Sequence, residues 1–186
     1  MNELKVRDIK AGNLLIAEPF MEDPNFKRTV ILITENNPEG ILGLILNRPS
    51  IFKLNEVLSD FPKFESSMYI GGPVGLDRLN FVHCYPDLIS NSFHITDNLY
   101  WNGNFEDLKK GIFEKKILPH NIKFFLGYSG WDSNQLENEL EEKSWIVSQN
   151  YTNIFKGSSY MWKDILKKMG GEYKIIANAP DNPNLN

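Results

Sequence analysis

One cysteine and three histidines in 186 residues leave little material for metal centres or thiol chemistry. Cys84 has no partner for an internal disulfide. A structural zinc site wants four ligands in close local pairs, which His83 beside Cys84 and the isolated His94 and His120 do not supply. A globule of this length buries roughly 70% of the surface its unfolded chain exposes and needs no staple. Excess positive charge is also missing. Twenty Lys and Arg stand against 24 Asp and Glu, a formal charge of −4, so no chain-wide field gathers nucleic acid by counterion release. The basic pairs Lys109/Lys110, Lys115/Lys116 and Lys167/Lys168 sit among acids on predicted helices and read as solvated faces. Long apolar runs are absent: residues 29–34 and 41–46 fall far short of the ~20 needed to cross a bilayer. No basic start leads into an apolar leader, so a reducing cytoplasm is the expected location and no membrane contact is expected. No repeat or long linker divides the chain before residue 170. One domain over residues 1–178 is expected, with a polar, proline-bearing tail at 179–186 that has too little apolar surface to offset ordering it and should be mobile.

What is present is strand punctuation. Leu14 to Ala17, Thr29 to Thr34 and Ile41 to Leu46 are apolar runs bounded by Pro19, Pro24, Pro38 with Gly40, and Pro49. The second and third should form a hairpin closed by Glu35 to Gly40, and because neither alternates, both faces should be covered. Ser67 to Gly71, Leu79 to Tyr85, Leu99 to Trp101, Lys123 to Tyr128 and Trp145 to Ser148 bring the expectation to about eight strands. A helical period marks Phe105, Leu108, Ile112 and Phe113 behind an Asn104 N-cap, and Leu136 with Leu140 behind Asp132, where Gln135 gives capping-box spacing. A third helix runs from about Ser159 to Met169 and stops at Gly170 and Gly171, and a weaker one covers Leu54 to Asp60. Three strands precede the first strong helix, so the fold class is α+β with a mixed, largely antiparallel sheet carrying three to four helices, rather than a doubly wound parallel fold.

Several stretches invite a catalytic reading. Gly127-Tyr128-Ser129-Gly130 ends a strand and enters a helix, the setting of a nucleophilic serine, but Trp131 stands where G-x-S-x-G needs glycine and all three histidines come earlier. Ser129 reads as a turn residue. His83 and Cys84 lie next to each other in a strand, point to opposite faces and cannot share an ion, and Cys84 reads as a small buried hydrophobe. Gly71-Gly72-Pro73-Val74-Gly75 matches neither phosphate-loop pattern. It reads as a tight turn in which a side chain would clash, so that Gly72→Val should destabilise the fold more than a surface change if Gly72 sits at positive φ, and anion binding by its backbone amides is the alternative. Asn47-Arg48-Pro49 closes its strand with an amide, a fixed cation and a residue that ends pairing. Arg48 should meet a carboxylate or backbone carbonyls and serve as structural glue. Glu137 and Glu139, two apart on a helix, do not face each other and make no acid/base pair.

Together these motifs resemble the AlgH/YqgE family from Gly12 to about Gly170. The opening Gly12, Leu15, Ala17, Pro19, Pro24 and Phe26 fits, as do the hairpin's Glu35, Asn36, Gly40, Gly43, Asn47, Arg48 and Pro49 and the loop Gly71 to Val74. The run Gly127, Tyr128, Gly130, Trp131, Gln135, Leu136, Glu139 and Leu140 matches the family's G-Y-x-G-W-x-x-x-Q-L-x-x-E-L pattern, with Trp145 and Trp162 following. The resemblance implies a split sheet curled into a pseudo-barrel and a biochemical activity that is not established. Some members are called transcriptional regulators, yet no helix-turn-helix or basic helix is visible here, so regulation is expected to be indirect. The expectation is a non-enzymatic binding or regulatory domain with no catalytic residue, cofactor or metal. Its partner is an unidentified protein or small molecule rather than nucleic acid, and its candidate contact residues are Asn47, Arg48, Gly71, Gly72, Tyr128, Trp131 and Gln135. The alternative is an enzyme or anion binder using a pocket near the Gly72 loop.

Overall fold

In a computed structural model, which describes residues 8–149, 154–155 and 158–178, the eight expected runs and two further segments form the ten strands of one sheet. The strands are β1 (Leu14–Ala17), β2 (Val30–Asn37), β3 (Gly40–Ile45), β4 (Pro49–Lys53), β5 (Ser67–Ile70), β6 (Val74–His83), β7 (Phe93–Thr96), β8 (Leu99–Trp101), β9 (Ile122–Trp131) and β10 (Trp145–Ser148). The helices are α1 (Leu54–Val57), α2 (Phe105–Phe113), α3 (Ser133–Glu141), α4 (Met161–Met169) and α5 (Gly171–Ile176). The class is α+β, and all pairings but the parallel β5–β9 ladder are antiparallel among the described residues. The sheet path runs β10-β1-β2-β3-β9-β6-β8-β7 and stays open, ending at β10 and β7. The tail at 179–186 lies outside the described residues.

Continuous apolar strands are covered on both faces, as their lack of alternation requires. Leu14, Ile16, Val30, Leu32 and Leu44 turn to one cluster that also holds Trp162, Ile165 and Leu166 of α4. Leu15, Ala17, Ile31, Ile33, Ile41 and Ile45 turn to the other, against Trp131, Leu136 and Trp145. A third cluster gathers α1, α2 and the Phe61–Phe64 segment on Phe81, Phe124 and Leu126. The buried Trp162 ties α4 to β1 by donating from Nε1 to the Ala17 carbonyl at 2.8 Å.

β9 organises the molecule. Its first half pairs in parallel with β5 (Met68↔Phe124 to Ile70↔Leu126), and its second half pairs with β3 (Ile41↔Trp131 to Gly43↔Ser129). β6 lies along the other edge. The chain therefore leaves β5 on one side of β9 and enters β6 on the other, with only Gly71, Gly72 and Pro73 to cross it. Backbone lies directly on backbone there. A Cβ on Gly71 would stand 2.4 Å from the Gly127 carbonyl oxygen, and one on Gly72 would stand 2.2 Å from the Tyr128 carbonyl carbon. The clash expected of a side chain here is present, and it comes from close approach alone, because Gly72 is not at positive φ. Gly127 faces it at φ +66.

Other expectations shift in detail. The hairpin is tighter than expected, since β2 continues to Asn37 and Asn37 pairs with Gly40 across Pro38 and Glu39. Pro49 begins a strand instead of ending one. β4 pairs only with β5, and the first position of an edge strand tolerates a missing N–H. Asn104 caps α2 by accepting from Glu106 N and Asp107 N, whereas Asp132 makes no side-chain cap bond on α3. Cys84 is half-buried rather than buried, and its environment pushes the thiol above its ordinary value.

Candidate functional site

The break in alternation at Gly127 decides where the half-buried tyrosine of β9 goes. Phe125 and Lys123 point to the α4 side of the sheet while Ile122, Phe124 and Leu126 point away. Strict alternation would send Tyr128 with Leu126. The left-handed turn at Gly127 resets the phase, and the half-buried Tyr128 packs on the Phe125 side instead.

Tyr128 and Leu42 line two adjoining clefts. One, of about 460 Å³, is walled by Glu35, Glu39, Gly130, Trp131, Asp132 and Gln135, with Val74 from the start of β6. The other, of about 520 Å³, holds Leu44, Arg78, Asn80, Trp101 and Asn102. Both fall within the ~300–1,000 Å³ span of small-molecule sites, and they form one trough across β2, β3, β9, β6 and β8.

Of the residues singled out in the sequence, Tyr128, Trp131 and Gln135 meet in this trough. The other four lie outside its lining. Asn47 is buried and works as a strand surrogate, accepting from Val30 N and donating to the Arg28 carbonyl, both at 2.9 Å. The half-buried Arg48 donates to the Pro24 carbonyl at 3.2 Å, the backbone partner expected of it; burial lowers its guanidinium from the ordinary value and Asp23 pushes it back. Gly71 and Gly72 form the crossing. Ser129 is fully buried and donates to the Gly71 carbonyl at 3.1 Å, pinning the crossing from beneath.

Trp131 and Gln135 also serve a network that sequence spacing alone did not reveal. The Glu139 carboxylate accepts from Trp131 Nε1 at 2.9 Å, Trp145 Nε1 at 2.6 Å and Gln135 Nε2 at 2.9 Å. Gln135 thus orients Glu139 instead of completing a capping box. Phe26 stacks on Trp131 and meets Trp145 edge-on, with centroids 5.9 and 5.6 Å apart.

His83 is fully buried in β6. Its Nδ1 accepts from Tyr85 N at 3.1 Å, its Nε2 lies 2.9 Å from the Asn102 carbonyl, and burial lowers its pKa, which fits a neutral ring donating from Nε2. No group of three metal-ligating side chains occurs among the described residues. Outside the trough, Lys123 is the buried charge that the sequence reading missed. Its ammonium is buried in β9, donates to the Leu46 and Ile154 carbonyls at 2.7 and 3.2 Å, and sits 3.7 Å from the centre of the Tyr69 ring. Loss of water pulls it down to about 7. The available signal was a lysine second in the otherwise apolar run Ile122 to Leu126.

Residues 14–174 match the model of the AlgH-like family, DUF179. The chain belongs to the AlgH-like family. A UPF0301 protein of Cytophaga hutchinsonii is 43% identical over 178 residues, covering 94% of this chain and 98% of that protein, and one of Chlorobium limicola is 41% identical over 96% of both chains. The solution structure of AlgH from Pseudomonas aeruginosa superposes with a TM-score of 0.71 at 28% identity, over 91% of this chain and 94% of that one. A Corynebacterium diphtheriae crystal structure shares the fold with a TM-score of 0.77 at 22% identity, over 96% and 95%. The AlgH-like match spans the hairpin, the glycine crossing and the β9–α3 network, so the features that shape the trough lie inside the family's boundaries. No helix among the described residues is long and apolar enough to cross a membrane.

Proposed function

We propose that this chain is a non-catalytic binding domain whose site is the trough centred on Tyr128. One observation carries the reading: two clefts of small-molecule size meet at Tyr128 and Leu42, and five strands and α3 contribute their walls. The lining offers aromatic faces, amides and carboxylates on secondary structure held in place by the Glu139 network and the glycine crossing. Such a surface orients a bound molecule. A regulatory role then runs through what occupies the trough, with a cytoplasmic small molecule or protein segment as the signal rather than DNA.

Thermal-shift screening against metabolites tests this directly. A ligand at about 100 times its Kd should raise the melting temperature by on the order of 5–10 °C for a chain of this size. Replacing Tyr128 with Ala should abolish that shift while Phe113→Ser, a change on an exposed helix face, should leave it intact. Ligands whose stabilisation is indifferent to Tyr128→Ala would place binding elsewhere and defeat the proposal.

A further inference from the structure

The β6–β9 ladder contains a large irregularity beside the trough. Val74 pairs with Tyr128 and Leu79 with Leu126, so β6 advances five positions while β9 advances two. Bulges bend a strand and re-aim its side chains. Here the extra residues include Gly75, at φ +59, and Arg78. A Cβ on Gly75 would stand 3.3 Å from both the Tyr128 ring and the Arg78 stem. The bulge thus brings an exposed guanidinium to the trough beside a half-buried ring.

The amides nearby are already committed. Asn80 donates to the Gly127 carbonyl at 3.2 Å, Asn102 donates to Asn80 Oδ1 at 3.0 Å, and Phe81 N donates to Asn102 Oδ1 at 3.0 Å. Arg78 makes no ion pair or hydrogen bond among the described residues. The remaining wall is Leu42, Leu44, Leu79 and Trp101 with Thr34, whose hydroxyl is committed to the Leu42 carbonyl at 3.3 Å. A planar fork next to an apolar wall suits a flat ligand with one carboxylate, which it grips bidentately. The neighbouring half of the trough carries Glu35, Glu39 and Asp132, which repel further negative charge.

We infer that the Arg78 half of the trough binds a planar, apolar monoanion of the aromatic carboxylate class, its ring against Leu42, Leu44 and Trp101 and its head on the Arg78 guanidinium. The inference rests on the trough being the binding site and adds its ligand chemistry.

The test uses the full chain, isotope-labelled for amide NMR, titrated with 1-naphthoate and separately with the uncharged isostere 1-naphthamide. Naphthoate should shift the amides of Leu42, Asn80, Asn102 and Tyr128 saturably and bind about tenfold tighter than the amide. Arg78→Gln, an exposed change that leaves the fold intact, should bring the two affinities together. Equal affinities in the parent protein, or naphthoate binding unaffected by Arg78→Gln, would overturn the ligand assignment while leaving the trough as a site. Shifts confined to other surfaces, or none with either probe, would overturn the assignment and count against the trough itself.

Discussion

Lys123 and Glu139 are opposite answers to the problem of placing charge against an apolar interior. The Lys123 ammonium keeps two carbonyls and a tyrosine face, yet burial holds its pKa at about 7 against ~10.4 in an unfolded chain. Between those values the unfolded state binds a proton that the folded state has released, so stability rises with pH through that window and is flat below it. Urea denaturation should therefore show about 2 kcal/mol more stability at pH 9 than at pH 7, and Lys123→Met should remove that slope and be the more stable protein at pH 7. Parallel pH profiles for the two proteins would refute the burial argument. Glu139 is only half-buried but satisfies two indole N–H groups that have few alternatives. Its replacement by Ala should cost about 2–3 kcal/mol, whereas Gln135→Ala, which removes one exposed donor, should cost under ~0.5. Equal losses in denaturation midpoints would show that the network is not what holds α3.

At the scale of elements the crossing of β9 is the most demanding local geometry. Gly72→Ala must move the Tyr128 backbone, not a flexible side chain, and should lose about 3 kcal/mol or more. Gly170→Ala is the control: φ is +74 but a Cβ there meets nothing within 4 Å, so only ~1 kcal/mol of backbone strain is expected. Melting temperatures that fall equally would rule out close approach as the reason for glycine. Much of this level was legible in sequence. β1, β8 and β10 fall on the expected residues, because short apolar runs between turn residues leave few other choices. β4 and β7 were not expected, because an edge strand has one neighbour and little apolar content: most of Pro49–Lys53 is exposed, as is half of Phe93–Thr96. The early start of β6 was hidden by its bulge, whose Gly-Leu-Asp-Arg stretch lacks strand alternation. α5 begins at the second of two glycines that read as a stop.

For the whole molecule, the site was partly visible. Tyr128, Trp131 and Gln135 share one short motif and meet in the trough, while Arg78 reaches it only through a bulge that no sequence period encodes. Asn47, Arg48 and Gly72 were singled out for unusual physical demands, and those demands are met by backbone partners or backbone contact. The three apolar clusters all draw on β9 or the strands paired to it, so unfolding should be a single transition. Tryptophan fluorescence, with contributions from Trp101, Trp131, Trp145 and Trp162, and far-UV circular dichroism should trace the same urea curve; separated midpoints would mean independent bodies. Threading β9 between two strands that are neighbours in the chain also imposes an order of assembly during synthesis. While the ribosome has released only the segment before Ile122, β5 and β6 face an empty slot with their inner edges unpaired. The nascent chain therefore carries this open slot as an aggregation risk until one ten-residue strand has emerged to fill it.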